Sequence, residues 1–201
     1  DIVTVPNGKP NIITPGGNIL QGQNLLFQWD KIEGVKKYVL YIQNDGNQEI
    51  WKTEITDNKY NFTDKDFPLK RSIPYKLIVV TDSNNGYKEA SAKFIILNEA
   101  KATKIKAEID YEQDLIKKVG IYQNYDLYSE PIELLEKQKT KSYDIYVNLA
   151  DCYYLLGRID KAKENYEYAL QLPTNTAEQK ELLQKEIQKL QELIDKNKKS
   201  L

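Results

Sequence analysis

Large and very small side chains recur, mostly at steps of three and four, between residues 143 and 173: Tyr146, Leu149, Ala150, Tyr153, Gly157, Ala162, Tyr166, Ala169 and Pro173. This spacing constrains the chain more than any other feature, because few backbone arrangements satisfy it. Ala150, Gly157, Ala162 and Ala169 are small where two antiparallel helices must approach closely, and the rings of Tyr146, Tyr153 and Tyr166 fill the space between them. The stretch predicts a helix-turn-helix unit with a packed seam.

At 201 residues and 40% apolar, the chain can build two small cores. The formal net charge is -1 and is evenly spread: residues 1–98 carry 12 basic and 11 acidic side chains, which leaves 17 and 19 for the remainder. A phosphate-backbone binder needs a concentrated basic surface, so nucleic acid is not an expected partner. Histidine is absent, which excludes imidazole acid–base catalysis, Ser–His and Cys–His nucleophile pairs and His-ligated metals. The single cysteine, Cys152, can close no intramolecular disulfide and build no thiolate zinc site. Catalysis would have to run on carboxylates, lysine or tyrosine. Asp64 and Asp66 form a carboxylate pair in turn-like sequence, but with no Gly-rich loop or base beside them. The chain reads as non-enzymatic, with no catalytic residues, no cofactor and no metal. No apolar run reaches 18 residues, so no membrane span is expected.

Residues 1–98 read as β structure, because apolar and aromatic residues come in short runs separated by turn residues. Seven strands are predicted, at 11–14, 24–29, 37–43, 49–56, 59–63, 74–81 and 90–97. Asp45-Gly46 and Asn85-Gly86 sit where hairpins need positive φ. Trp29 ends an alternating strand and reads as a core tryptophan, whereas Trp51 could stack an exposed indole face on a sugar ring. Near residues 98–100 the pattern changes to charged helical sequence, in which Gly120, Pro131, Gly157 and Pro173 are the breakers. The expected domains are therefore 1–98 and 99–201, joined without a flexible linker, with one helix over 100–118.

Upstream of the well-formed unit, residues 107–138 read as a worn copy of it. Tyr122 stands where Tyr153 does, Pro131 where Ala162 does and Leu135 where Tyr166 does, at a common offset of 31, with Asp126 in the place of Gly157. Two such units need a cap. Residues 176–198 supply one: Thr176 and Gln179 have capping-box spacing, and Leu183, Ile187, Leu190 and Ile194 form one apolar stripe that Leu182 and Leu193 widen. Self-association through this C-terminal helix is a second use of the same stripe.

In the first half, Trp29, Tyr38, Leu40 and the Leu69 to Tyr75 spacing resemble fibronectin type III and related bacterial immunoglobulin-like domains, in which such a Tyr ties a loop back onto the sheets. The Tyr146 to Pro173 spacing resembles the tetratricopeptide repeat. The two resemblances imply an all-β then all-α chain: an N-terminal immunoglobulin/fibronectin III-like β-sandwich, then tetratricopeptide-like helical hairpins with a capping helix. They also imply a scaffold or adaptor that binds a peptide or protein in the groove of the helical half. The groove positions are Asp144, Val147, Asp151, Tyr154 and Leu155. Family members that clamp a peptide carboxylate carry Lys and Asn at the positions held here by Val147 and Asp151, so this chain departs from them. The alternative is a carbohydrate- or cell-wall-binding protein that uses the β half. The pairing of modules resembles bacterial cell-envelope proteins, which implies a periplasmic or exported setting, with a cytoplasmic one as the alternative.

Overall fold

In the computed structural model, which describes residues 10–20, 22–83 and 86–199, the first half forms eight strands. They are β1 (Ile12–Thr14), β2 (Gly17–Ile19), β3 (Leu25–Trp29), β4 (Tyr38–Asn44), β5 (Glu49–Ile55), β6 (Lys59–Phe62), β7 (Pro74–Ser83) and β8 (Gly86–Ile96). Leu25, Phe27 and Trp29 of β3, and Tyr38, Leu40 and Ile42 of β4, are buried while their neighbours along each strand are only partly so. That period of two builds one apolar core with Phe62, Leu77, Val79, Phe94 and Ile96. Within it Phe27 stacks on Phe62 at 5.0 Å, and Trp29 stands edge-on to Tyr38 at 5.2 Å. Each such ring contributes about 2–3 kcal/mol through burial. Two hydroxyls fix loops to this core: Tyr38 accepts the Ile32 N–H at 3.0 Å, and Tyr75 accepts the Lys70 N–H at 2.8 Å.

The expected all-β sandwich followed by tetratricopeptide-like hairpins is not what the chain forms. The arrangement is α+β: two separate sheets, one of them mixed, followed by six helices where about five were expected. The sheets are ordered β1-β3-β6 and β2-β8-β7-β4-β5, and β2 runs parallel to β8. The departure begins after Thr14. Pro15 has no N–H to continue a ladder, and Gly17 takes φ +69°. The chain leaves β3 there and pairs with β8 through Gly17, Asn18 and Ile19, a strand with no alternating pattern to announce it. At the β4–β5 hairpin the left-handed residue is Asn47 (φ +58°) rather than Gly46, and its N–H donates to the Asn44 carbonyl at 3.0 Å. Asn85 of the expected Asn85-Gly86 turn lies outside the described residues.

The chain divides into two compact units, Asp1–Ala107 and Glu108–Leu201. The helices are α1 (Glu99–Tyr111), α2 (Leu115–Asn124), α3 (Ser129–Glu136), α4 (Tyr143–Leu155), α5 (Ile159–Leu170) and α6 (Ala177–Lys199). The single helix expected over 100–118 is broken. Glu112 Oε1 accepts the N–H groups of Gln113 (2.8 Å) and Asp114 (2.9 Å), offering the backbone a local alternative to the helix ladder. Asp114 then caps α2 by accepting the Lys117 N–H at 2.9 Å.

The ends of α2 and α4 match at an offset of 31 residues. At the first, the Leu127 N–H donates to the Tyr122 carbonyl (3.0 Å) and the Asp126 N–H to Gln123 (3.0 Å). At the second, the Arg158 N–H donates to Tyr153 (2.8 Å) and the Gly157 N–H to Tyr154 (2.8 Å). Asp126 and Gly157 both take positive φ, +57° and +73°. This is the Schellman closure of a helix, made twice with the same geometry. Helix α6 opens with a reciprocal pair: Thr176 N–H to Gln179 Oε1 at 2.9 Å, and Gln179 N–H to Thr176 Oγ1 at 3.2 Å. Its Leu183 and Leu190 are buried. Among the described residues no helix is long and apolar enough to cross a membrane.

Candidate partner-binding face

Helix α4 starts at Ser142, whose Oγ accepts the Ile145 N–H at 3.4 Å. It packs on α5, and Ala150, Ala162 and Ala169 are fully buried there, as small residues at a close helix contact should be. Ile145, Leu149, Cys152 and Tyr153 complete its inward side. The five positions read from the sequence fall on the other side. Asp144 is exposed, Val147 is half-buried, and Tyr154 and Leu155 expose 47% and 52% of their surface. Steps of three, four, three and one bring the five within about 100° of the helix circumference.

Asp151 belongs to the stripe by position but leans toward the packed side. It accepts the Tyr166 hydroxyl from α5. Burial pushes its carboxyl above the usual carboxylate range, the Tyr166 hydrogen bond opposes that, and the charge of Glu186 on α6 adds to it. Tyr166 is pushed well above an ordinary phenol, first by burial and then by Asp151. Asp144 and Asp151 place two carboxylates on this stripe, which disfavours an anionic ligand.

No family model and no curated protein matches the chain. Solved structures that are weakly similar include two larger proteins. One is the apo structure of Bacteroides uniformis beta-glucuronidase 3, at 14% identity and a TM-score of 0.31, covering 44% of this chain and 12% of the other. The second is titin kinase with its flanking domains, at 11% identity and a TM-score of 0.34, covering 56% of this chain and 20% of the other. The matched part is thus a small fraction of either larger chain. Similarity of this degree assigns neither fold nor activity.

The remaining sequence candidates resolve into packing. Trp29 is fully buried, and Trp51 is half-buried between the sheets, 5.0 Å from Phe62, 5.4 Å from Tyr60 and 6.3 Å from Phe27. Asp66 accepts from the Tyr60 hydroxyl and from the N–H and hydroxyl of Thr63, a closed turn in which its acceptors are occupied. Cys152 is buried, which pushes its thiol up to about 12, and Gln123 Nε2 donates to its sulfur at 3.4 Å. It is a protonated thiol at neutral pH, suited to packing.

Two exposed aromatic features escaped the sequence reading. Tyr146 stands as a packing ring by spacing, yet it is only half-buried and lies 5.6 Å from Tyr168, which is 43% exposed. Their 22-residue separation becomes a neighbour relation only once the α4–α5 hairpin closes. Tyr111, at the end of α1, is 89% exposed, and nothing in its spacing marks it.

Proposed function

We propose that this chain is a non-enzymatic scaffold or adaptor that binds a peptide or protein through the α4 stripe of Asp144, Val147, Asp151, Tyr154 and Leu155. The observation that supports it most is the adjacency of Tyr154 and Leu155, two large side chains left half in water at the end of a helix whose opposite side is fully packed. Leaving about half of each in water forgoes about 0.7–1.5 kcal/mol of burial apiece, a deficit that a docking partner removes. Tyr offers a large amphipathic contact at low entropic cost, the chemistry of binding hot spots. The carboxylates of Asp144 and Asp151 favour a basic or neutral ligand and disfavour an acidic one.

Site-specific photo-crosslinking tests this. A benzoylphenylalanine replacing Tyr154 is expected to trap a discrete protein adduct in an extract of the source cells, and the same group replacing the 89%-exposed Tyr111 is expected to give a different pattern. Identical patterns at the two positions would show that exposure alone, and not this face, decides what is captured.

A further inference from the structure

We infer that α6 is a self-pairing helix, which docks antiparallel against α6 of a second copy of this chain through Leu182, Glu186, Lys189 and Leu193. Leu182 is 53% exposed, Leu193 is half-buried, and Glu186 and Lys189 form an ion pair of 2.6 Å between them. At about 100° per residue these four positions fall within about 60° of the helix circumference. The stripe lies beside the one that carries the buried Leu183 and Leu190. It is therefore a second apolar and charged face, which borders the one used inside the unit at Glu186, whose charge reaches Asp151 and Tyr166.

The occupant follows from the order of the residues. Steps of four, three and four read the same from both ends, with the midpoint between Ile187 and Gln188. A two-fold axis through that midpoint sets Leu182 opposite Leu193 of the other copy and Glu186 opposite its Lys189, each pair occurring twice. The flanking positions agree: Gln179 meets Lys196 and Glu178 meets Asn197, so no like charges face each other. Parallel pairing would set Glu186 against Glu186 and Lys189 against Lys189, a repulsive register. The face is complementary to itself in one orientation only. Two leucine pairs, about 16 Å apart on either side of the charged centre, bury little apolar surface, so the dimer belongs to the transient class and forms reversibly with concentration. Tyr154 and Leu155 are on α4 and take no part in it. Replacing them with alanine leaves the dimer intact, which separates this inference from the function proposed above.

Sedimentation equilibrium of the full chain from about 10 μM to about 1 mM is expected to show a reversible monomer–dimer equilibrium. Glu186→Lys and Lys189→Glu each place like charges at two contacts and are expected to weaken the dimer by about tenfold or more. An equimolar mixture of the two variants restores it, because each copy then carries the charge the other lacks. Orientation is read separately by oxidation of cysteine variants. Leu182→Cys mixed with Leu193→Cys crosslinks between copies. Leu182→Cys alone does not, because antiparallel pairing separates the two equivalent positions by about 16 Å, far beyond disulfide reach. The inference is overturned by a monomer across the whole range, by a dimer indifferent to both charge reversals, by a mixture that fails to recover, or by efficient crosslinking of Leu182→Cys with itself. Far-UV circular dichroism establishes that each variant is folded, and the cysteine pair remains decisive if a charge reversal is not.

Discussion

Two glycines in the helical unit invite the same substitution and are expected to answer with opposite signs. A Cβ added at Gly157 or at Gly120 meets nothing within 4 Å, so neither position is protected by crowding. They differ in backbone. Gly157 holds φ +73° in the closure of α4, while Gly120 lies inside α2. Gly157→Ala forces an L-residue into the left-handed region at about 1–2 kcal/mol, offset in part by about 0.4–1 kcal/mol from the restricted unfolded chain. The net expectation is a destabilisation of about 1 kcal/mol, or about 4–8 °C in the melting temperature of a unit this size. Gly120→Ala carries no such penalty and gains about 0.5–1 kcal/mol through helix propensity. Asp126→Gly, at the equivalent closure of α2, is expected to stabilise by no more than about 0.5 kcal/mol. It relieves φ +57° but enlarges the unfolded ensemble and removes a 3.0 Å hydrogen bond from the Tyr128 hydroxyl. Thermal unfolding followed at 222 nm reads all three. A neutral or stabilising Gly157→Ala, or a Gly120→Ala as damaging as Gly157→Ala, would refute the argument that the backbone angle alone separates the two sites.

Thr176→Ala removes one half of the reciprocal cap of α6 and is expected to cost about 1 kcal/mol in chemical denaturation, with Thr176→Ser close to wild type. Asp151 and Asp66 are expected to shape the pH dependence in opposite directions. The Asp151 carboxyl is raised, so its contribution is fully present below the unfolded value of about 3.9 and is lost as pH rises through the folded one. Asp151→Asn should therefore flatten the fall in helical stability above pH 4, and an unchanged slope by circular dichroism would contradict this. Burial raises Asp66, but its hydrogen bonds from Tyr60 and Thr63 outweigh burial and leave the carboxyl below the usual range. Its contribution is present above the unfolded value and lost on acidification. Both tryptophans lie in the first unit, so indole fluorescence reads that unit, and Asp66→Asn should flatten its acid limb.

Much of the fold was legible because a period of two is hard to produce by chance. Leu25, Phe27 and Trp29 alternate with Leu26 and Gln28, and the seven expected strands all exist, most with ends within a residue or two of those expected. What was not legible depended on single residues acting through the backbone. The three-residue β2 has no pattern, and its parallel pairing with β8 follows from Pro15 and Gly17, which turn the chain from one sheet to the other. The break at 112–114 came from one glutamate side chain competing for two amide hydrogens, which no window average registers. The 31-residue offset matched Asp126 to Gly157, and the shared left-handed geometry gives that correspondence a physical basis that the residue types do not supply. At the candidate site, Tyr154 and Leu155 were named through the tetratricopeptide resemblance, and both are about half exposed. The resemblance did not foresee that Asp151 reaches back to Tyr166, because that contact depends on how α4 and α5 meet.

The central claim is that the outer stripe of α4 holds a protein ligand, and the most direct test is a binding titration of the crosslinked partner, once purified, against wild type and the Tyr154→Ala, Leu155→Ala double variant. Both side chains are about half exposed, so the double variant should unfold within about 1 kcal/mol of wild type. The predicted result is a Kd raised at least about tenfold with folding stability preserved, as expected when hot-spot contacts of more than about 1 kcal/mol are removed. Equal affinity for the two proteins would contradict the claim and move recognition to another part of the chain.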